Sequence, residues 1–103
     1  MKSLVESLNE GLKHISDRMF IKALWKIGGE LTKEDLEDIL GKDNPLIYAG
    51  YEVDSIHTDR KTLYFCYIKD GRDLEGEGSI EDYDDETVQL LYDAIIEYEK
   101  IYR

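Results

Sequence analysis

The sequence predicts an α+β protein: N-terminal helices, a three-stranded antiparallel β-meander and one long C-terminal helix. Three observations carry that expectation. Apolar residues recur at helical spacing over the first forty residues and again over residues 84–102. Between them the period drops to two, in runs rich in β-branched and aromatic residues. The change falls at Asn44-Pro45, where proline lacks the donor to continue a helix and restricts the residue before it. A chain of 103 residues is expected to form a single domain, 1–103, with a helical part (1–42), an antiparallel sheet (46–81) and a C-terminal helix (84–102).

In the helical part, Leu4, Val5, Leu8, Leu12 and Ile15 share one face of a helix over 3–15, capped by Ser3. "SDR" at 16–18 opens a second helix, whose stripe is Met19, Phe20, Ala23, Leu24 and Ile27, and Gly28-Gly29 stops it. Trp25 is read as core, with an interface hot spot as the other reading. In "LTKEDLEDILG", Thr32 caps a third helix, Asp35 stands three residues on, and Gly41 ends it. Leu36, Ile39 and Leu40 face inward.

"LIYAGYEVDSIH" and "TLYFCYIK" read as two strands joined by a turn at "TDRK", 58–61. In that register His57 opposes Thr62 and Val53 opposes Cys66. "TLYFCYIK" is apolar on both faces, which predicts a central strand covered on both sides. "KDGR" at 69–72 is a second turn. A third strand over 74–81 is expected at the sheet edge, protected by its glutamates. Val88, Leu91, Ile95, Tyr98 and Tyr102 stripe the final helix, widened by Leu90, Ala94 and Ile101. Its first residues are acidic and its last basic, as the helix dipole favours.

The net charge of −11 is uneven: residues 1–69 carry −2 and residues 70–103 carry −9. Such a field repels nucleic acid and anionic membranes and attracts basic protein surfaces. With one cysteine, no internal disulfide forms. The N-terminus has no signal-peptide pattern, and no run approaches the roughly 20 apolar residues of a membrane span. A cytoplasmic protein is expected, in the host cytoplasm if the chain is viral.

"DLEGEGSIEDYD", 73–84, has the register of a calcium loop: Asp73, Glu75, Glu77, Gly78, Ile80 and Asp84 fall at positions 1, 3, 5, 6, 8 and 12. As a metal site it would use Asp73, Glu75, Glu77, Ser79 and Asp84. Glutamates at positions 3 and 5 are too long for that loop, Asp at position 12 is short, and the preceding segment reads as strand. The other reading is an acidic edge strand entering a helix, with no cofactor. Catalytic signatures are missing: Cys66 sits mid-strand as a small hydrophobe, the expected register does not bring His57 to it, and no phosphate-loop, nucleophile-elbow or zinc-protease pattern occurs. The chain is therefore expected not to be an enzyme. Lys13, Arg18, Lys22 and Lys26, at spacings near four along one helical face, and Arg60-Lys61 at a turn make only a weak basic stripe.

Protein recognition remains. Glu75, Glu77, Glu81, Asp82, Tyr83, Asp84, Asp85 and Tyr92 combine carboxylates, which steer a basic partner, with tyrosines, which anchor interfaces. The expected function is a small acidic binding module that engages a basic protein. One concrete form is a nucleic-acid mimic that inhibits a nucleic-acid-binding protein. In size and charge the chain resembles phage-encoded inhibitors of bacterial defence, including anti-CRISPR proteins, which implies a viral inhibitor that binds protein and not nucleic acid. The alternatives are a structural or assembly subunit, or homo-oligomer, and the calcium loop at 73–84.

Overall fold

The computed structural model describes residues 14–102 as an α+β arrangement of three helices and a five-stranded antiparallel sheet. The helix expected over 3–15 lies outside the described residues, except for His14 and Ile15 at its end. Helix α1 spans Asp17–Lys26, and Ser16 caps it by accepting from the Met19 amide. Strand β1 is Glu30–Leu31 and helix α2 is Lys33–Leu40. Thr32 and Asp35 form a reciprocal capping box at the start of α2. Strands β2 (Ile47–Tyr48), β3 (Tyr51–Thr58), β4 (Leu63–Lys69) and β5 (Arg72–Gly78) follow, then a 3-10 turn (Ile80–Asp82) and helix α3 (Asp85–Tyr102). The sheet order is β1-β3-β4-β5, with β2 also paired to β3.

The run "LIYAGYEVDSIH" is thus two strands and not one. Ala49 and Gly50 both have left-handed φ, 52° and 87°, and make a two-residue hairpin between Tyr48 and Tyr51. The turn between β3 and β4 is Asp59–Thr62, one residue later than expected, and it shifts the register: Thr58 pairs with Leu63 and His57 with Tyr64. A second shift follows between Val53 and Ser55, where Asp54 is the extra residue, so Val53 pairs with Tyr67 and not Cys66. At the other hairpin, Asp70 and Gly71 take left-handed φ, as the Asp-Gly pair favours. Strand β5 lies at an edge as expected but starts two residues earlier and stops at Gly78.

Pleating sorts β3, β4 and β5 into two faces. Ile56, Leu63 and Phe65 point inward and pack with Phe20 and Leu24 of α1, Leu31, Leu36, Ile80, and Val88, Leu91 and Ile95 of α3. His57, Tyr64 and Cys66 point outward, are only part-buried, and do not belong to this core. The expected cover on both faces of β4 is therefore wrong for the described residues: Ile68, on the outer face, is half exposed. Two helix assignments also change. Leu90 and Ile101 lie on the exposed side of α3, because Tyr92 and Ile96 widen the inward stripe instead. Trp25 is 55% exposed and not core. No helix among the described residues is long and apolar enough to cross a membrane.

Candidate functional site

The acidic stretch is built by alternation. In β5 the sequence Asp73-Leu74-Glu75-Gly76-Glu77-Gly78 puts the three carboxylates on the outer face and Leu74 and both glycines on the inner. The glycines serve packing. A Cβ on Gly78 would sit 2.4 Å from the Phe65 ring, and one on Gly76 would sit 2.4 Å from the Tyr48 hydroxyl. Tyr48 stacks on Phe65 and donates to the Glu77 carbonyl at 3.0 Å, so its ring lies across bare strand backbone.

This corrects the calcium-loop reading. Asp73, Glu75 and Glu77 lie along a strand paired residue by residue with β4, so they do not converge on one point. Ser79 instead donates to the Asp17 carboxylate at 2.9 Å, and Asp84 caps α3. The loop's glycine is spent on Phe65 and not on a tight turn around an ion.

Beyond β5 the chain is pinned at three points. The Asp17 carboxylate accepts from the Ser79 hydroxyl and, at 2.7 Å, from the Ile80 amide. The Asp84 carboxylate accepts from the Thr87 hydroxyl at 2.6 Å and the Thr87 amide at 3.2 Å, and these bonds hold its carboxyl below the usual carboxylate range. Tyr83 donates to the Ile47 carbonyl at 3.1 Å. Burial first, then the Asp82 charge and Tyr48, push its phenol up to about 12.

The structure brings some of the expected binding residues together and separates others. Glu77 and Asp82 line one shallow groove, and Asp82, Tyr83 and Asp84 line the next. Glu81, Asp82 and Asp85 are exposed. The result is a rim running from Glu75 through Glu77 to the start of α3. Among the described residues Glu81 pairs with His14 at 2.6 Å and Glu75 with His57 at 3.1 Å, whereas Glu77, Asp82 and Asp85 meet no cation. Tyr92 does not join the rim; it packs against the core from α3, and Tyr83 is a buttress more than an exposed anchor.

One cluster escaped the sequence reading, and a second was legible there only as a weak basic stripe. On the outer face, Cys66 Sγ lies 3.3 Å from His57 Nδ1, and His57 Nε2 lies 3.1 Å from Glu75. The register shift makes this trio: Ser55 and not Val53 opposes Cys66, and His57 falls on the diagonal. The turn at Asp59–Thr62, one residue later than the spacing suggests, sets this register, so the expectation that His57 stands apart from Cys66 fails. The second cluster is a cleft of about 690 Å³ lined by Arg18, Lys22, Trp25, Arg60 and Lys61, into which α1 and the β3–β4 turn bring their cations. The Trp25 indole donates to the Asp59 carbonyl at 3.3 Å, which draws that ring toward the turn and out of the core. The helical stripe of α1 hinted at this, since Trp25 sits one residue beyond the Phe20–Leu24 face.

No protein-family model, no curated protein and no solved structure matches this chain.

Proposed function

We propose that this chain is a non-catalytic acidic module that binds a basic surface of another protein in the cytoplasm, through the rim formed by Glu75, Glu77, Glu81, Asp82, Asp84 and Asp85. The observation that carries the reading is that Glu77, Asp82 and Asp85 are exposed and without a cation partner among the described residues, Glu77 and Asp82 on one groove, with the backbone pinned by Asp17, Asp84 and Tyr83. Backbone held in place before binding loses little entropy on meeting a partner, and the carboxylates on it speed the encounter. A nucleic-acid-mimicking inhibitor of the phage anti-defence kind is the narrower form of this reading. Charge density qualifies it: alternate residues of β5 place one carboxylate about every 6.7 Å, against one phosphate per 3.4 Å of rise along each DNA strand. The mimic therefore needs the acids of the 3-10 turn and of α3 as well as the strand.

The test is capture of partners from the native host with the wild type and with Glu77→Gln, Glu81→Gln, Asp82→Asn combined. A basic protein retained by the wild type, released by salt and lost with the variant supports the reading. A partner held equally by both sinks it. An assembly subunit or homo-oligomer is the second reading, favoured by Ile47 and Leu90, half exposed on one groove beside Pro45. A stable oligomer in sedimentation that Leu90→Glu dissociates would shift the assignment to it.

A further inference from the structure

We propose that His57, Cys66 and Glu75 form a site for a thiophilic divalent transition-metal ion, zinc foremost. The three residues come from three adjacent strands, β3, β4 and β5, and project from the same face. Their ligand atoms all lie within 4.8 Å of one another, the one such cluster of three His, Cys, Asp or Glu residues among the described residues. Tetrahedral zinc with bonds of about 2.0–2.3 Å sets its nitrogen, sulfur and oxygen ligands roughly 3.6 Å apart. The present contact of 3.3 Å from Sγ to Nδ1 needs only a small side-chain adjustment to reach that spacing, while the Glu75 carboxylate, now 3.1 Å from Nε2, has to turn toward Nδ1.

The imidazole offers an ion one nitrogen. Nδ1 is the suitable one, because the thiol already faces it. Zinc there takes the place of the proton between sulfur and nitrogen, and the thiol proton leaves to solvent. Glu75 stands directly opposite Cys66 in the β4–β5 ladder, and its side chain is 55% exposed, so its carboxylate is free to swing from Nε2 to the ion. Tyr64 stacks on the His57 ring at 5.1 Å and 20°, which limits the ring's orientations before any ion arrives. Asp73 and Glu77 on the same face add negative field. The donor set decides the metal class: a thiolate with an imidazole suits zinc and its neighbours, whereas calcium and magnesium take oxygen. Three protein ligands leave a fourth position for water.

A nucleophilic cysteine fits the same trio less well. Acyl transfer needs free N–H donors beside the thiol, and β4 is central, with its backbone shared between β3 and β5.

Cobalt(II) titration of the full, reduced, metal-free chain tests the proposal, because a thiolate-to-cobalt charge-transfer band reports Cys66, the chain's one cysteine. The expected result is a saturable band with the intense visible transitions of tetrahedral cobalt, displaced by zinc and abolished by Cys66→Ser. Affinity should fall by about tenfold or more in His57→Gln and in Glu75→Gln, at least the loss that supporting residues of metal sites show. A folded wild type with no band at millimolar cobalt overturns the proposal without recourse to any variant. So does a band that His57→Gln and Glu75→Gln leave unchanged, which would mark thiolates of two chains bridged by one ion. The rim variants Glu77→Gln, Glu81→Gln and Asp82→Asn leave this trio intact, so the two readings fail separately.

Discussion

The inner and outer faces of the β4–β5 hairpin use the same pleat for opposite ends. On the inner face Phe65 is fully buried, Tyr48 lies over it, and opposite them β5 offers two glycines in place of side chains. On the outer face, one residue along, Tyr64, Cys66, Glu75 and Glu77 are half-buried or exposed, and their polar atoms meet one another or solvent. The inner positions therefore fix volume and backbone approach, while the outer ones carry titratable and ligating atoms that the fold does not need for packing. A mutation should reveal which face it touches by how much stability it removes.

Phe65→Ala should cost most, about 3–5 kcal/mol in denaturant unfolding, and Leu91→Ala, buried beneath the same sheet, about 2–5 kcal/mol. If Cys66→Ala, one residue away, costs as much as Phe65→Ala, the distinction between the faces collapses. Gly78→Ala comes next. Its new methyl would meet a buried ring that has nowhere to go, a loss of about 1–3 kcal/mol. Gly76→Ala should fall at the low end of that range, since the neighbour is the hydroxyl end of Tyr48, which can shift. Asp84→Ala removes the cap of α3 and should cost about 1 kcal/mol in the same measurement. On the outer face, Glu77→Gln should change stability by no more than about 0.5 kcal/mol, and a larger loss would show that the rim is structural.

Tyr83 sharpens the contrast by pH. Its phenol ionises near 10 when unfolded and near 12 when folded. Between those values the unfolded chain has released a proton that the folded chain keeps, so stability falls as pH rises from about 10 to about 12. Tyr83→Phe should flatten that fall in unfolding curves taken across the window, while lowering stability slightly at neutral pH through the lost bond to Ile47. An unchanged slope would show that the alkaline loss arises elsewhere.

Where local rules govern, the sequence was readable. Ser16, the Thr32–Asp35 box and the Asp-Gly hairpin each bond or bend within a few residues, and α3 carries an unbroken stripe. What escaped depends on distant partners or on exceptions. Ala49 in left-handed φ breaks a run that reads as one strand, because alanine is not expected there. The turn at Asp59–Thr62 sets the register that brings His57 to Cys66, and the extra residue at Asp54 moves only the pairs beyond it. Gly76 and Gly78 resemble loop glycines until Tyr48, 28 and 30 positions earlier, is seen to rest on them. Trp25 looks apolar enough for the core, yet its indole N–H finds the Asp59 carbonyl at the surface. The acidic rim was found as composition, but only the pleat of β5 separates its carboxylates from its glycines.

That pleat has a consequence for how the molecule tolerates its own concentration. Strand β5 ends the sheet, so one side of its backbone is a template on which another chain's strand can hydrogen-bond. Two copies meeting edge to edge would bring rows of glutamates together on one surface, and like charges in such proximity oppose pairing. The barrier is electrical and weakens as salt screens it. At high ionic strength the same edge loses its guard, and self-association through β5 should rise while the fold behind it stays intact.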